Sequence, residues 1–123
     1  MLDTAALVAF AATTDLGRAQ AFYGGVLGLP LVERSAYACV FAAAGTTLRV
    51  TLVDATAGAP CTVLGWEVTD IAATIDALTA KAVPFARYEG MGQDARGVWR
   101  TPDGAQIAWF GDPDGNVLSL TQR

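Results

Sequence analysis

Residues 109–120 read WFGDPDGNVLSL: an apolar run, the tetrad Asp112-Pro113-Asp114-Gly115, and a second apolar run. Proline presets one turn dihedral and glycine supplies a left-handed one, while aspartate bonds its own downstream amides. The tetrad therefore marks a tight reversal between two strands. Those strands fall at residues 106–111 and 116–121. Working upstream, Thr101-Pro102-Asp103-Gly104 is a second turn, preceded by short extended segments at residues 97–100 and 84–89.

Further upstream the pattern changes period. Asp70-Ile71 opens a stretch with Ile71, Ile75, Leu78 and Ala82 on one side, the spacing of a helix lying on a sheet. An apolar strand at residues 62–69 precedes it. The same order occurs in the N-terminal half: a run at residues 5–12, then Asp15-Leu16, then Leu16, Ala19, Phe22, Tyr23, Val26 and Leu27. Asp15 and Asp70 are both suited to cap a helix by accepting from free first-turn amides. Strands at residues 31–34, 37–43 and 46–54 come next, with a turn at Ala44-Gly45. The chain is thus one domain made of two modules, about 1–57 and 58–123, joined by the small-residue stretch 55–60. Each module reads βαβββ, and the class is α+β.

Composition narrows the function. The chain has 123 residues, is 53% hydrophobic and 16% charged, and carries a net charge of −4. No apolar run approaches the ~20 residues of a membrane helix, and the N-terminus has no basic region of a signal peptide. A cytoplasmic protein without a membrane partner is expected. The acidic balance argues against nucleic acid, whose phosphates it would repel, and is compatible with a cationic ligand. Cys39 and Cys61 stand apart, without paired-cysteine spacing or histidine partners, and are expected as small buried or half-buried thiols.

The string TDLGRAQAFYGGVLGLPLV at residues 14–32, together with the DPDGN turn, resembles the vicinal oxygen chelate superfamily, the glyoxalase, bleomycin-resistance and dioxygenase family. The resemblance implies two tandem modules with curved, mostly antiparallel sheets forming a partial barrel, helices on the outer face, and a homodimer. It also implies a metal held by histidine and glutamate. The positions it assigns to those ligands are Val8, Val63, Ser119 and Arg49 or a close neighbour on the same strand. The chain contains no histidine. Valine offers no lone pair and a guanidinium is a permanent cation, whereas divalent metals need imidazole, thiolate or carboxylate donors. No metal or other cofactor is expected.

Strand alternation places Phe10, Arg49, Glu67, Trp109 and Ser119 on the face where the family keeps its site. This gives an apolar, partly aromatic cleft with a few polar groups, the general description of a small-molecule site. Trp66 falls in the opposite phase, toward a helix. The segment RYEGMGQDARGVW (residues 87–99) carries Tyr88, Met91 and Trp99 in a glycine-rich loop, with Gln93 and Asp94 as hydrogen-bonding groups. Such loops serve as binding surface, either as a pocket lid or as a dimer contact.

The leading functional reading is a metal-independent small-molecule-binding protein of the bleomycin-resistance type, sequestering a hydrophobic or aromatic antibiotic or metabolite in a cleft of a homodimer. The ligand-binding candidates are Phe10, Arg49, Glu67, Tyr88, Met91, Gln93, Trp99, Trp109 and Ser119, with no catalytic and no metal residues. The alternative is a metal-independent glyoxalase-like lyase or isomerase acting on a small carbonyl or aromatic substrate. In that case Glu67 or Tyr88 would move the proton and Arg49 would hold an anionic group.

Overall fold

In the computed structural model, which describes residues 1–58 and 60–123, the chain divides into two units, Met1–Ala57 and Gly58–Arg123. Of the predicted linker at residues 55–60, Ala59 lies outside the described residues.

The first unit begins with a short 3-10 turn at Leu2–Thr4 and then β1 (Val8–Thr13). Asp15 caps α1 (Leu16–Ala19), its carboxylate accepting from the Arg18 amide at 3.0 Å. The helix does not continue as α, as the sequence suggested. It widens into a π-helical stretch at Gln20–Val26. The physical reason lies in two adjacent aromatics: Phe22 and Tyr23 are both buried, with rings edge-on at 5.2 Å. An ordinary α turn spreads neighbouring residues by 100°, and a wider turn lets both reach the sheet. Gly24 and Gly25 resist this distortion least.

Three strands come after it: β2 (Leu31–Arg34), β3 (Ala38–Ala43) and β4 (Thr46–Leu52). The sheet order is β1-β4-β3-β2, with β1 parallel to β4 and the other pairs antiparallel. Phe41, Leu48, Val50 and Cys39 point from the sheet into the core beside Tyr23 and are fully buried. Each such large apolar side chain contributes about 1.5–3 kcal/mol. The β3–β4 reversal uses Ala44 and Gly45, both at positive φ, as a two-residue hairpin that follows the twist of its strands requires.

The second unit repeats the plan with β5 (Thr62–Glu67), α2 (Ile71–Ala80), β6 (Trp99–Arg100), β7 (Gln106–Gly111) and β8 (Val117–Gln122). Its order, β5-β8-β7-β6, matches the first sheet, again with one parallel and two antiparallel pairings. Asp70 caps α2 by accepting from the Ala73 amide at 3.0 Å. Ile71, Ile75 and Leu78 bury the inner face of α2, and Ala108, Phe110, Leu118 and Leu120 bury the facing side of the sheet. Trp66 sits opposite Leu120 in register and is half-buried on that same side, the phase read from the sequence.

The predicted strand at residues 84–89 is reduced to one bridge, Phe85 to Phe110, with the Ala86 amide donating to the Trp109 carbonyl at 2.8 Å. The edge of β7 is divided: β6 pairs with Gln106 and Ile107, and Phe85 pairs with Phe110. Between these contacts the chain leaves the edge as a loop. No helix among the described residues is long and apolar enough to cross a membrane.

Candidate functional site

In each sheet one side chain face is buried under the helix, and the alternate residues face the other way. On the first sheet, register sets Phe10 beside Arg49 and Arg49 beside Val40. Phe10 is 60% exposed, and Arg49 is half-buried with no ion-pair or hydrogen-bond partner among the described residues. Val8, one of the positions implied for a metal ligand, is exposed on the same strand.

On the second sheet the corresponding row is Gly65, Ser119 and Trp109, across β5, β8 and β7. The next row is Glu67, Thr121, Ile107 and Trp99. Trp109 is the centre of an aromatic group: the Tyr88 ring meets it edge-on at 5.6 Å and the Trp99 ring lies tilted at 6.3 Å. Tyr88, Met91 and Trp109 line a cavity of about 290 Å³ with Pro60, Cys61, Thr62 and Val117. Glu67 is exposed at the far end of its strand, 3.6 Å from the Arg123 guanidinium.

The loop carrying Tyr88 and Met91 is tied down along its length. The Gln93 carbonyl oxygen accepts from the Tyr88 amide at 2.7 Å, and its amide nitrogen donates to the Ala86 and Gly97 carbonyls at 3.0 and 2.7 Å. Asp94 accepts from the Arg96 and Val98 amides, each at 2.9 Å. Arg87 donates to the carbonyls of Asp94 and Ala95. Arg96 forms a two-pronged bond with Asp76 of α2, both contacts at 2.9 Å. The Arg96 guanidinium holds the Asp76 carboxyl below its ordinary value. Gln93, a candidate ligand contact from sequence, thus has its amide engaged in setting the position of Tyr88.

The Asp112–Gly115 turn is built as its residues require. The Asp112 carboxylate accepts from the Asp114 and Asn116 amides at 2.9 Å and from the Asn116 side chain at 2.7 Å. Gly115 sits at φ 83° and donates to the Asp112 carbonyl. This hairpin fixes β8 against β7, and so Ser119 beside Trp109.

The two thiols differ. Cys39 is buried, and desolvation pushes its thiol up from the ordinary value. Cys61, expected as buried or half-buried, is instead exposed at the cavity. It precedes the first residue of β5, where the chain has not yet entered the sheet. Sequence reasoning assigned Pro60 to a linker and Thr62 to a strand, and named neither of them nor Cys61 as lining a cavity.

A profile of the Glyoxalase/Bleomycin resistance protein/Dioxygenase superfamily matches residues 5–120. The chain belongs to this superfamily. No curated protein matches it significantly. Among solved structures it is similar to a glyoxalase family protein from Bacillus anthracis, at 15% identity and a TM-score of 0.77, covering 98% of this chain and 95% of that one. It is also similar to a glyoxalase/bleomycin resistance protein/dioxygenase from Alicyclobacillus acidocaldarius, at 18% identity and a TM-score of 0.73, covering 97% and 91%. A lactoylglutathione lyase from Agrobacterium tumefaciens aligns at 21% identity and a TM-score of 0.72, covering 97% and 93%. At these identities the structural likeness shows a shared fold alone.

The superfamily implies a metal, and the residue types decide how well one would fit. Two valines, an arginine and a serine at the implied positions provide one neutral hydroxyl and no anionic donor. Among the described residues no group of three or more His, Cys, Asp or Glu is placed to hold an ion. These residues do not fit the superfamily's metal.

Proposed function

We propose that the chain is a metal-independent small-molecule-binding protein of the bleomycin-resistance type, which holds a hydrophobic or aromatic antibiotic or metabolite without chemical conversion. The observation that carries this reading is the cavity of about 290 Å³ walled by Tyr88, Met91 and Trp109. Ligand pockets begin near ~300 Å³ and are mostly apolar with a few polar groups. The volume suits one or two fused rings, either a whole metabolite or the planar part of a larger antibiotic. Offset and edge-on contacts with Trp109 and Tyr88 would supply area and orientation. Trp99 backs Trp109, Gln93 holds Tyr88, and Ser119 provides a polar point beside the ring. Phe10, Arg49 and Glu67 are proposed as further contacts, Arg49 for an anionic group and Glu67 for a cationic one. The proposal includes a homodimer, because Val8, Phe10, Val32 and Tyr37 leave apolar surface exposed.

The test is titration of the intrinsic tryptophan fluorescence with a panel of polycyclic and DNA-intercalating natural products. Saturable quenching that survives a chelator and is lost in Trp109→Ala is expected. An absence of saturable quenching across the panel would overturn the reading.

A further inference from the structure

We infer that the row Gly65–Ser119–Trp109 is a polar notch that recognises a single neutral hydrogen-bonding group at the edge of an aromatic ligand. The inference deepens the binding reading above and rests on it. Ser119 is only 9% exposed, yet its hydroxyl has no hydrogen-bond partner among the described residues. No fully buried polar side-chain atom among them lacks a partner, so this hydroxyl reaches the surface through a gap.

Gly65 makes the gap. A Cβ at that position would lie 2.7 Å from Ser119 Oγ, closer than any side chain can sit without displacing it. The backbone at Gly65 is not left-handed, unlike that of the turn glycines, so conformation does not demand glycine here. A glycine inside a strand weakens it and commonly marks a place where another group approaches the backbone closely. Gly65 is itself exposed, so the space above Ser119 Oγ is open.

On its other side Ser119 has Trp109, whose ring contacts Tyr88 and Trp99. Val117, which lines the cavity, lies two residues before Ser119 on β8, or roughly 7 Å along the strand. A planar ligand lying against Trp109 would therefore extend one edge over Gly65. A hydroxyl both donates and accepts, so the group it meets there is a carbonyl, hydroxyl or amine on the ring. Such a pair discriminates mainly by penalising the analogue that leaves the polar group without a partner.

The experiment is calorimetric titration of the full-length chain with 1-naphthol and with 1-methylnaphthalene, which share a ring system and differ in the polar group. The wild-type protein should bind 1-naphthol about five- to tenfold more tightly. Ser119→Ala should abolish the preference while keeping the 1-methylnaphthalene affinity. Gly65→Ala should weaken 1-naphthol by at least as much, and Thr79→Ala, at an exposed position of α2, should change neither. Far-UV circular dichroism confirms that each variant is folded. Equal binding of both probes to the wild type, or a preference that survives in Ser119→Ala, overturns the notch while leaving the cavity reading intact. Failure of both probes to bind any form overturns the cavity reading and the notch with it.

Discussion

The two units share one topology and differ in the connection that leaves the helix. In the first, residues 27–30 lead directly from the π-helical stretch into β2. In the second, residues 81–98 separate α2 from β6, and the β6 strand has shrunk to Trp99–Arg100. The first sheet presents Phe10 exposed on β1, with Arg49 beside it on β4. The second receives Tyr88 and Met91 from the loop and forms a cavity against Trp109. The two sheets share one strand order, and the longer connection of the second brings Tyr88 and Met91 beside Trp109. The side chains of the proposed site come from the loop as much as from the sheet.

The same contrast recurs in the hairpins that close each unit. Ala44-Gly45 reverses the chain through its backbone dihedrals, whereas the Asp112 carboxylate in the second unit accepts from the Asp114 and Asn116 amides and from the Asn116 side chain. The largest stability effect separating the units should come from here. Asp112→Ala removes the carboxylate that accepts from the Asp114 and Asn116 amides and should cost about 2–3 kcal/mol, read from urea denaturation. Removing the turn should also loosen β8, so Ser119 and Trp109 would lose their alignment. A cost below ~0.5 kcal/mol would mean the two hairpins are equivalent after all.

A smaller effect is expected where each helix ends. Gly28 and Ala82 come after their helices at φ 77° and 64°, the left-handed exit that favours glycine. Nothing lies within 4 Å of a Cβ built on Gly28, so Gly28→Ala tests backbone strain alone and should cost ~1 kcal/mol. Ala82→Gly should stabilise by ~0.5 kcal/mol, since part of the relieved strain is offset by greater freedom of the unfolded chain. If both substitutions change stability in the same direction, the equivalence of the two helix exits fails.

Much of the fold was legible because it is written in local chemistry. Asp15 and Asp70 as caps, Ala44-Gly45 and Asp112–Gly115 as turns, and the alternation along β7 and β8 each act within a few residues. The π-helical stretch was not legible, because it arises from the need to bury Phe22 and Tyr23 together against the sheet. Nor was the loss of the strand at residues 84–89, where the chain bonds β7 at Phe85 and Ala86 and then departs. The site was legible in part. Strand phase placed Trp109 and Ser119 on one face, and the loop composition singled out Tyr88 and Met91. The meeting of Gly65 with Ser119 depends on the pairing of β5 with β8, strands far apart in sequence, and no local pattern sets that register. The loop-holding bonds of Gln93 were not legible, because an exposed amide and an amide that holds a loop together have the same sequence signature.

In the proposed reading the second unit's cavity binds its ligand without metal. Cys61 is a native reporter of that cavity, since it is exposed there while Cys39 is buried. The deciding measurement is the rate of Cys61 alkylation by iodoacetamide in chelator, with and without a saturating polycyclic compound from the fluorescence panel. Occupancy should slow alkylation of Cys61 at least tenfold, with Cys39 unreactive throughout and no protection in Trp109→Ala. An unchanged Cys61 rate at saturation, or protection that appears only when a divalent metal is added, would contradict the claim.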